Sequence, residues 1–290
     1  HLNLGNILKD LERSEQAFDS YLKAIELNPN FPNIYASITI FLRDSDLSKL
    51  NKTKLKNILY ILLDRNDVPH GELFKAFNYL YKNKITNNLE KINTHYYNKD
   101  LFFHDELIIN ALKKIIFKDP QWEQFLIQVR RDICNLIASQ KADLTHLQLK
   151  LIIAVAQQCF SNEYIYAIND EEKQSLEKII SNCNIGKSNE MNLSLLACYF
   201  PLYKLIEKIP SIEYIKSNNN NFKELLKVQV FEPLEEIKIS KKIEKIGSIT
   251  DYISKKVKSQ YEENPYPRWT SENPYKTYKT SAILIINNDT

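Results

Sequence analysis

Four glycines in 290 residues restrict this chain more than any other feature of it. Average usage of about 7% would give roughly twenty. Glycine is what lets a backbone turn tightly against a phosphate or a nucleotide. Gly5, Gly71, Gly186 and Gly247 stand far apart, so no GxGxxG, Walker or GxSxG loop can be written from them. That argues against a complete nucleotide-binding α/β domain within these residues.

The hydrophobic pattern is helical instead. Leu4, Leu8 and Leu11 share one side of a first helix, and the stretch from Asp10 to Ser14 breaks it. Ala17, Tyr21, Ala24, Ile25 and Leu27 supply a second stripe at helical spacing. Asn28-Pro29-Asn30 ends that helix, because a residue before proline is pushed out of the α region. The two helices, 2–9 and 14–27, are expected to pack antiparallel. Further helices are expected near 53–64, 70–83, 101–117, 121–139, 144–166, 170–183, 190–208 and 221–229. Asp119-Pro120 reads as a helix start, with Trp122 in its first turn. Asn218–Asn221 reads as a polar loop. Strand patterns are confined to short alternations at 228–231 and 237–239 and to the apolar run Ala282-Ile283-Leu284-Ile285-Ile286.

Residues 1–30 resemble the tetratricopeptide repeat. His1 takes the place of the repeat's usual tryptophan, and Leu4-Gly5 stands for its Leu-Gly pair, where a small residue lets two helices approach. Ala17, Tyr21, Ala24 and Pro29 occupy the later small, aromatic, small and proline positions. A second repeat opens at Phe31, with Tyr35 and Ile38 in register, and fades after Leu42. Such a unit cannot bury its face alone, so a neighbour must stack on it. The pattern is under way at His1, and upstream repeats are expected before it.

The remaining composition sets bounds. A formal net charge of +3 does not by itself imply nucleic-acid binding. The lysines at 238, 241, 242, 245, 255, 256 and 258 read as a solvated helix face. Cys134, Cys159, Cys183 and Cys198 form no CxxC pair and have no histidine at zinc-ligand spacing. Buried free thiols and no metal site are expected. With no signal peptide and no apolar run of about 18 residues, a cytoplasmic location and no membrane span follow as expectations.

Two segments look unlike plain packing. Gln157, Gln158, Asn162, Glu163 and Tyr164 end a very apolar helix, LQLKLIIAVAQQCF. Buried amides and carboxylates need partners, so these residues form either a network tying helices together or a pocket. The second segment is Gln260-Tyr261-Glu262-Glu263-Asn264-Pro265-Tyr266-Pro267-Arg268-Trp269. Tyr261, Glu262, Asn264, Tyr266, Arg268 and Trp269 could clamp a planar or charged ligand by stacking and bidentate hydrogen bonds. They could equally form a rigid linker. No general base, nucleophile or oxyanion donor is recognisable in either segment, so no catalytic residue is assigned.

In this order, the runs AVAQQCFSNEYIY and QYEENPYPRW resemble a bacterial family of tetratricopeptide-repeat proteins fused to a class I S-adenosylmethionine-dependent methyltransferase. The resemblance implies a methyltransferase domain next in the chain, with S-adenosylmethionine as its cofactor. That cofactor site needs a strand ending in a glycine-rich loop. Here Ile283–Ile286 is followed by Asn287-Asn288-Asp289-Thr290, and no glycine follows Gly247. These residues alone are therefore not expected to bind the cofactor or transfer methyl groups.

The resulting expectation is an all-α chain: a tetratricopeptide-like hairpin and second-repeat start over 1–44, and an irregular helical domain over 45–240. A linker helix, the QYEENPYPRW run and a short extended segment occupy 241–290. Its expected role is to position a protein or peptide partner through the helical repeats for a downstream methyltransferase. The alternative is a free-standing tetratricopeptide adaptor without enzymatic activity.

Overall fold

The computed structural model describes residues 1–31, 33–92, 105–139, 146–243 and 251–263. Helices of all kinds take up 77% of them, and no strand occurs among them. The apolar run at 282–286 lies outside the described residues. The chain divides into two compact units, His1–Leu80 and 81–263 among the described residues. The repeat-like pattern ends at Leu42, so the first unit holds more than the repeat.

In the first unit, α1 (Leu2–Asp10) and α2 (Ser14–Leu27) form the expected hairpin. Their three-residue connection closes on a left-handed residue, Glu12, at φ 57°. The Arg13 N–H donates to Leu8 O and the Glu12 N–H to Lys9 O, each at 2.9 Å. This pair of bonds satisfies the last carbonyls of α1 in the manner of a glycine-ended helix, with glutamate in the glycine position. Gly5 lies under the ring of Tyr21: a Cβ there would stand 2.7 Å from Tyr21 Cε1 and 2.8 Å from Cδ1. The Tyr21 hydroxyl donates to Asn6 Oδ1 at 2.8 Å. Burial, helped by the nearby Asp10 carboxylate, pushes its pKa up to about 12.

Helix α3 (Ile34–Asp44) packs on both α1 and α2. Its Phe41 stacks on Phe18 at 5.9 Å and meets Tyr21 at 5.3 Å, so α3 covers the face that the hairpin leaves apolar. Helix α4 (Lys52–Asp64) is capped by Asn51, whose side chain accepts from Thr53 and Lys54 N–H. Lys75, at the start of α5 (Phe74–Ile92), donates to Arg43 O and Ser45 O and so caps the end of α3.

Gly5→Ala is expected to cost the first unit about 1–3 kcal/mol, because the ring of Tyr21 is wedged between two helices and has no room to retreat. A fall in denaturant midpoint with the helical signal retained would show this. An unchanged midpoint would mean that the hairpin opens readily.

The second unit gathers around one helix. α8 (His146–Ser161) buries Leu149, Leu151, Ile152, Ile153, Ala154, Val155, Ala156, Cys159 and Phe160, and so is apolar on every side. Around it stand α6 (Glu106–Lys114), α7 (Pro120–Ala138), α10 (Glu190–Leu196) and α11 (Asn220–Leu226). α7 starts as expected, with Asp119 accepting from Gln121 N–H, Pro120 in the first turn and Trp122 buried. α9 (Asp170–Asn182) is opened by a capping box between Asn169 and Glu172. It packs on α7.

Several expected boundaries move. The helix expected over 190–208 stops at Leu196, and only a short 3-10 turn, Leu202–Leu205, follows. Pro201 stands between them and lacks the N–H that a continued helix needs. Asn218–Asn221 is not wholly a loop: Asn219 caps α11, which begins at Asn220. The alternations at 228–231 and 237–239 are helical: a π turn, Lys227–Phe231, leads into α12 (Glu232–Ser240). α13 (Tyr252–Glu263) closes the described chain. Lys238, Lys241, Lys242, Lys255 and Lys256 are exposed, Lys258 is half-buried, and Lys245 lies outside the described residues.

Candidate functional site

The apolar sequence of α8 places amides where no water reaches, and each must find a partner in protein. Gln158 is fully buried. Its Nε2 donates to Leu112 O at 3.0 Å and to Ile115 O at 2.6 Å, and its Oε1 accepts from Phe117 N–H at 2.8 Å. It thus satisfies the frayed end of α6 and the connection to α7. Gln229, in the π turn, is the same device: its Nε2 donates to Ala156 O and Ala197 O. Tyr164 OH donates to Gln229 Oε1 at 3.2 Å. This accounts for the failed alternation at 228–231. Gln229 is buried alongside Val230, because its amide joins two helices.

α8 ends on two successive left-handed residues, Glu163 at φ 59° and Tyr164 at φ 58°. Tyr164 N–H donates to Cys159 O at 2.8 Å, and Asn162 Oδ1 accepts from the same group at 3.1 Å. Of the five residues singled out here, Gln158 and Tyr164 go to separate helix junctions. Gln157 Oε1 and Asn162 Nδ2 are buried without a hydrogen-bond partner. The structural network therefore accounts for Gln158 and Tyr164, while Asn162 faces another group of residues.

That group centres on Arg130 of α7, which is 1% exposed. Its Nη2 donates to Ala167 O at 2.6 Å and reaches Glu172 Oε1 at 3.5 Å. Its guanidinium carbon lies 4.2 Å from the centre of the Tyr199 ring and 6.0 Å from that of Tyr166. Glu172, also fully buried, accepts from Tyr199 OH at 2.7 Å, from Asn169 N–H at 3.0 Å and from Arg131 Nε at 3.4 Å. One carboxylate thus faces two guanidiniums and two further donors. With its oxygens so occupied, Glu172 is a structural anion and has no lone pair aimed at a reacting group.

Cys134, Cys159 and Cys198 stand against this network, and all four cysteines are buried free thiols as expected. Burial pushes Cys134 up to about 11 and Cys159 up to about 12, while Arg130 acts in the opposite direction on both. At neutral pH they are thiols, which are poor nucleophiles and poor metal ligands. No group of three or more His, Cys, Asp or Glu among the described residues could hold a metal ion.

The sequence did not single out Arg130, Glu172, Tyr166 or Tyr199. The Asn169–Glu172 spacing is legible as a capping box, but nothing shows that the box glutamate also receives an arginine from another helix. Of the second candidate segment, Tyr261 and Glu262 fall in the last turn of α13. Their side chains, and the whole of Asn264, Tyr266, Arg268 and Trp269, lie outside the described residues.

The family model of the tetratricopeptide repeat matches residues 1–31, the span of the α1–α2 hairpin. No curated protein and no solved structure matches the chain. No described helix is long and apolar enough to cross a membrane.

Proposed function

We propose that this chain is the helical interaction part of an S-adenosylmethionine-dependent methyltransferase and that its repeats position a protein substrate for a catalytic domain beyond them. The observation that carries the interaction role is the first hairpin. Leu4, Ile7 and Leu11 recur at helical spacing along α1 and its cap and are 46%, 56% and 61% exposed, forming the open flank of a stripe whose neighbouring member, Leu8, is buried. A contiguous apolar stripe in water is the kind of surface that a protein partner covers. The methyltransferase role rests on the runs AVAQQCFSNEYIY and QYEENPYPRW.

In this reading Tyr261, Tyr266 and Trp269 supply stacking walls, Arg268 a charge partner, and Glu262 and Asn264 polar contacts to the cofactor or substrate. The full-length protein carries the cofactor, and the helical part alone does not. Tyr266→Ala or Arg268→Ala in the full-length protein is expected to lower methyl transfer by about tenfold or more, equivalent to about 1.4 kcal/mol at the barrier. The melting temperature of the helical part should stay unchanged. Equal loss of activity and stability would favour a packed linker. No saturable cofactor binding by the full-length protein in a calorimetric titration would favour the free-standing adaptor.

A further inference from the structure

We propose that α13, with the end of α12, is a peripheral membrane surface that lies against anionic lipid headgroups. The positive charge of the chain is concentrated there. From Lys238 to Lys258 the sequence has seven lysines and two acidic residues, Glu244 and Asp251, an excess greater than the net +3 of the whole chain. The apolar residues beside these lysines are not buried. Ile239, Ile243, Tyr252, Ile253 and Val257 are all exposed, Ile253 the most at 70%. Every residue from Asp251 to Val257 is exposed, so the first turns of α13 stand in water on all sides. The twelve residues of α13 make a helix that is marginal in water by itself. A surface that covers its apolar side would stabilise it.

The side-chain types select lipid. Ile253 and Val257 lie one turn apart on α13, and Lys256 and Lys258 fall on the two flanks of that stripe. Lysines that border an apolar stripe keep their charge among headgroups while their stems extend the apolar contact. Tyr252 opens the helix, with Lys256 Nζ 4.9 Å from the centre of its ring, and tyrosine is favoured at the headgroup level. The one acidic residue at this end is occupied, since the Asp251 carboxylate accepts from Ser254 N–H at 2.8 Å and caps the helix. Lys238 is held by Glu235 at 3.4 Å, which leaves Lys241, Lys242, Lys255 and Lys256 to supply the attraction. Protein interfaces are depleted in lysine and enriched in arginine, and nucleic acids are met by arginine and stacked rings. No arginine occurs between Lys238 and Lys258. Lysine with isoleucine and valine is instead the composition of a helix that lies in a lipid interface.

The chain should co-sediment with vesicles of equal parts phosphatidylcholine and phosphatidylglycerol, and not with vesicles of phosphatidylcholine alone. Added salt should release it. Lys255→Gln combined with Lys256→Gln should lower the partition coefficient about tenfold or more. Ile253→Asn keeps the charge and should lower it by a similar factor, because it removes the apolar side chain that enters the lipid. Both variants should keep the wild-type melting temperature, since the first turns of α13 are exposed. No sedimentation with the anionic vesicles, or sedimentation that Ile253→Asn leaves unchanged, would overturn the assignment. Binding to polyglutamate or to RNA without binding to the vesicles would overturn it in favour of a protein or nucleic-acid partner.

Discussion

Glu172→Ala should lower the stability of the second unit by about 3–5 kcal/mol, the cost of leaving buried guanidinium charge without its partner. Glu172 and Arg130 are 0% and 1% exposed, so water cannot replace the lost carboxylate. Tyr199 OH and Asn169 N–H lose their acceptor at the same time. The Asn169 side chain still accepts from the N–H of position 172, so only the reciprocal half of the capping box is lost at the start of α9. Tyr199→Phe separates the contributions: it removes one hydrogen bond and keeps the ion pair, so its cost should be about 1–2 kcal/mol. Both are read from denaturant midpoints at unchanged slope. A cost below about 1 kcal/mol for Glu172→Ala, well under the range for breaking a buried pair, would mean that the arginines are solvated in the native state.

Gln158→Leu should be nearly as costly, and its neighbour Gln157→Leu should be neutral or stabilising. Gln158 satisfies Leu112 O, Ile115 O and Phe117 N–H, and each buried group left unpaired costs about 1–3 kcal/mol. A total near 3 kcal/mol is therefore expected. Gln157 Oε1 is buried without a partner, so replacing it by an apolar side chain of similar length removes a desolvation cost. Two adjacent glutamines with opposite outcomes, measured by the same midpoint, would establish that this segment fastens helices. Similar small effects for both, with loss of a ligand-binding signal, would instead mark a pocket.

How much of this was legible in the sequence follows from the range of the interactions. The α1–α2 hairpin could be read residue by residue, because its signals are local: the stripe through Tyr21, the Gly5 contact and the Asn28-Pro29 stop. The start of α7 at Asp119-Pro120 was equally local. The end of α10 was missed because a 190–208 apolar pattern outlasts the helix that Pro201 forbids. At Gln229 the alternation misled, because burial of an amide depends on carbonyls at Ala156 and Ala197, 73 and 32 residues away. Arg130 was invisible for the same reason: its partners Ala167 and Glu172 lie 37 and 42 residues away. The AVAQQCFSNEYIY run stands out in the sequence because amides follow a long apolar stretch. Its residues serve different junctions, and a linear segment does not distinguish that from one pocket.

The interaction role stands or falls on the exposed stripe of α1. A photoreactive amino acid placed at position 7 of the full-length protein should cross-link to a protein partner, whose affinity can then be measured directly. Ile7→Asp should weaken that partner's binding about tenfold or more, a loss of about 1.4 kcal/mol or more. Ile185→Asp, at a site that is 69% exposed in the second unit, should leave affinity unchanged, and both variants should keep the wild-type melting temperature. Equal affinity of the wild type and Ile7→Asp would contradict the account.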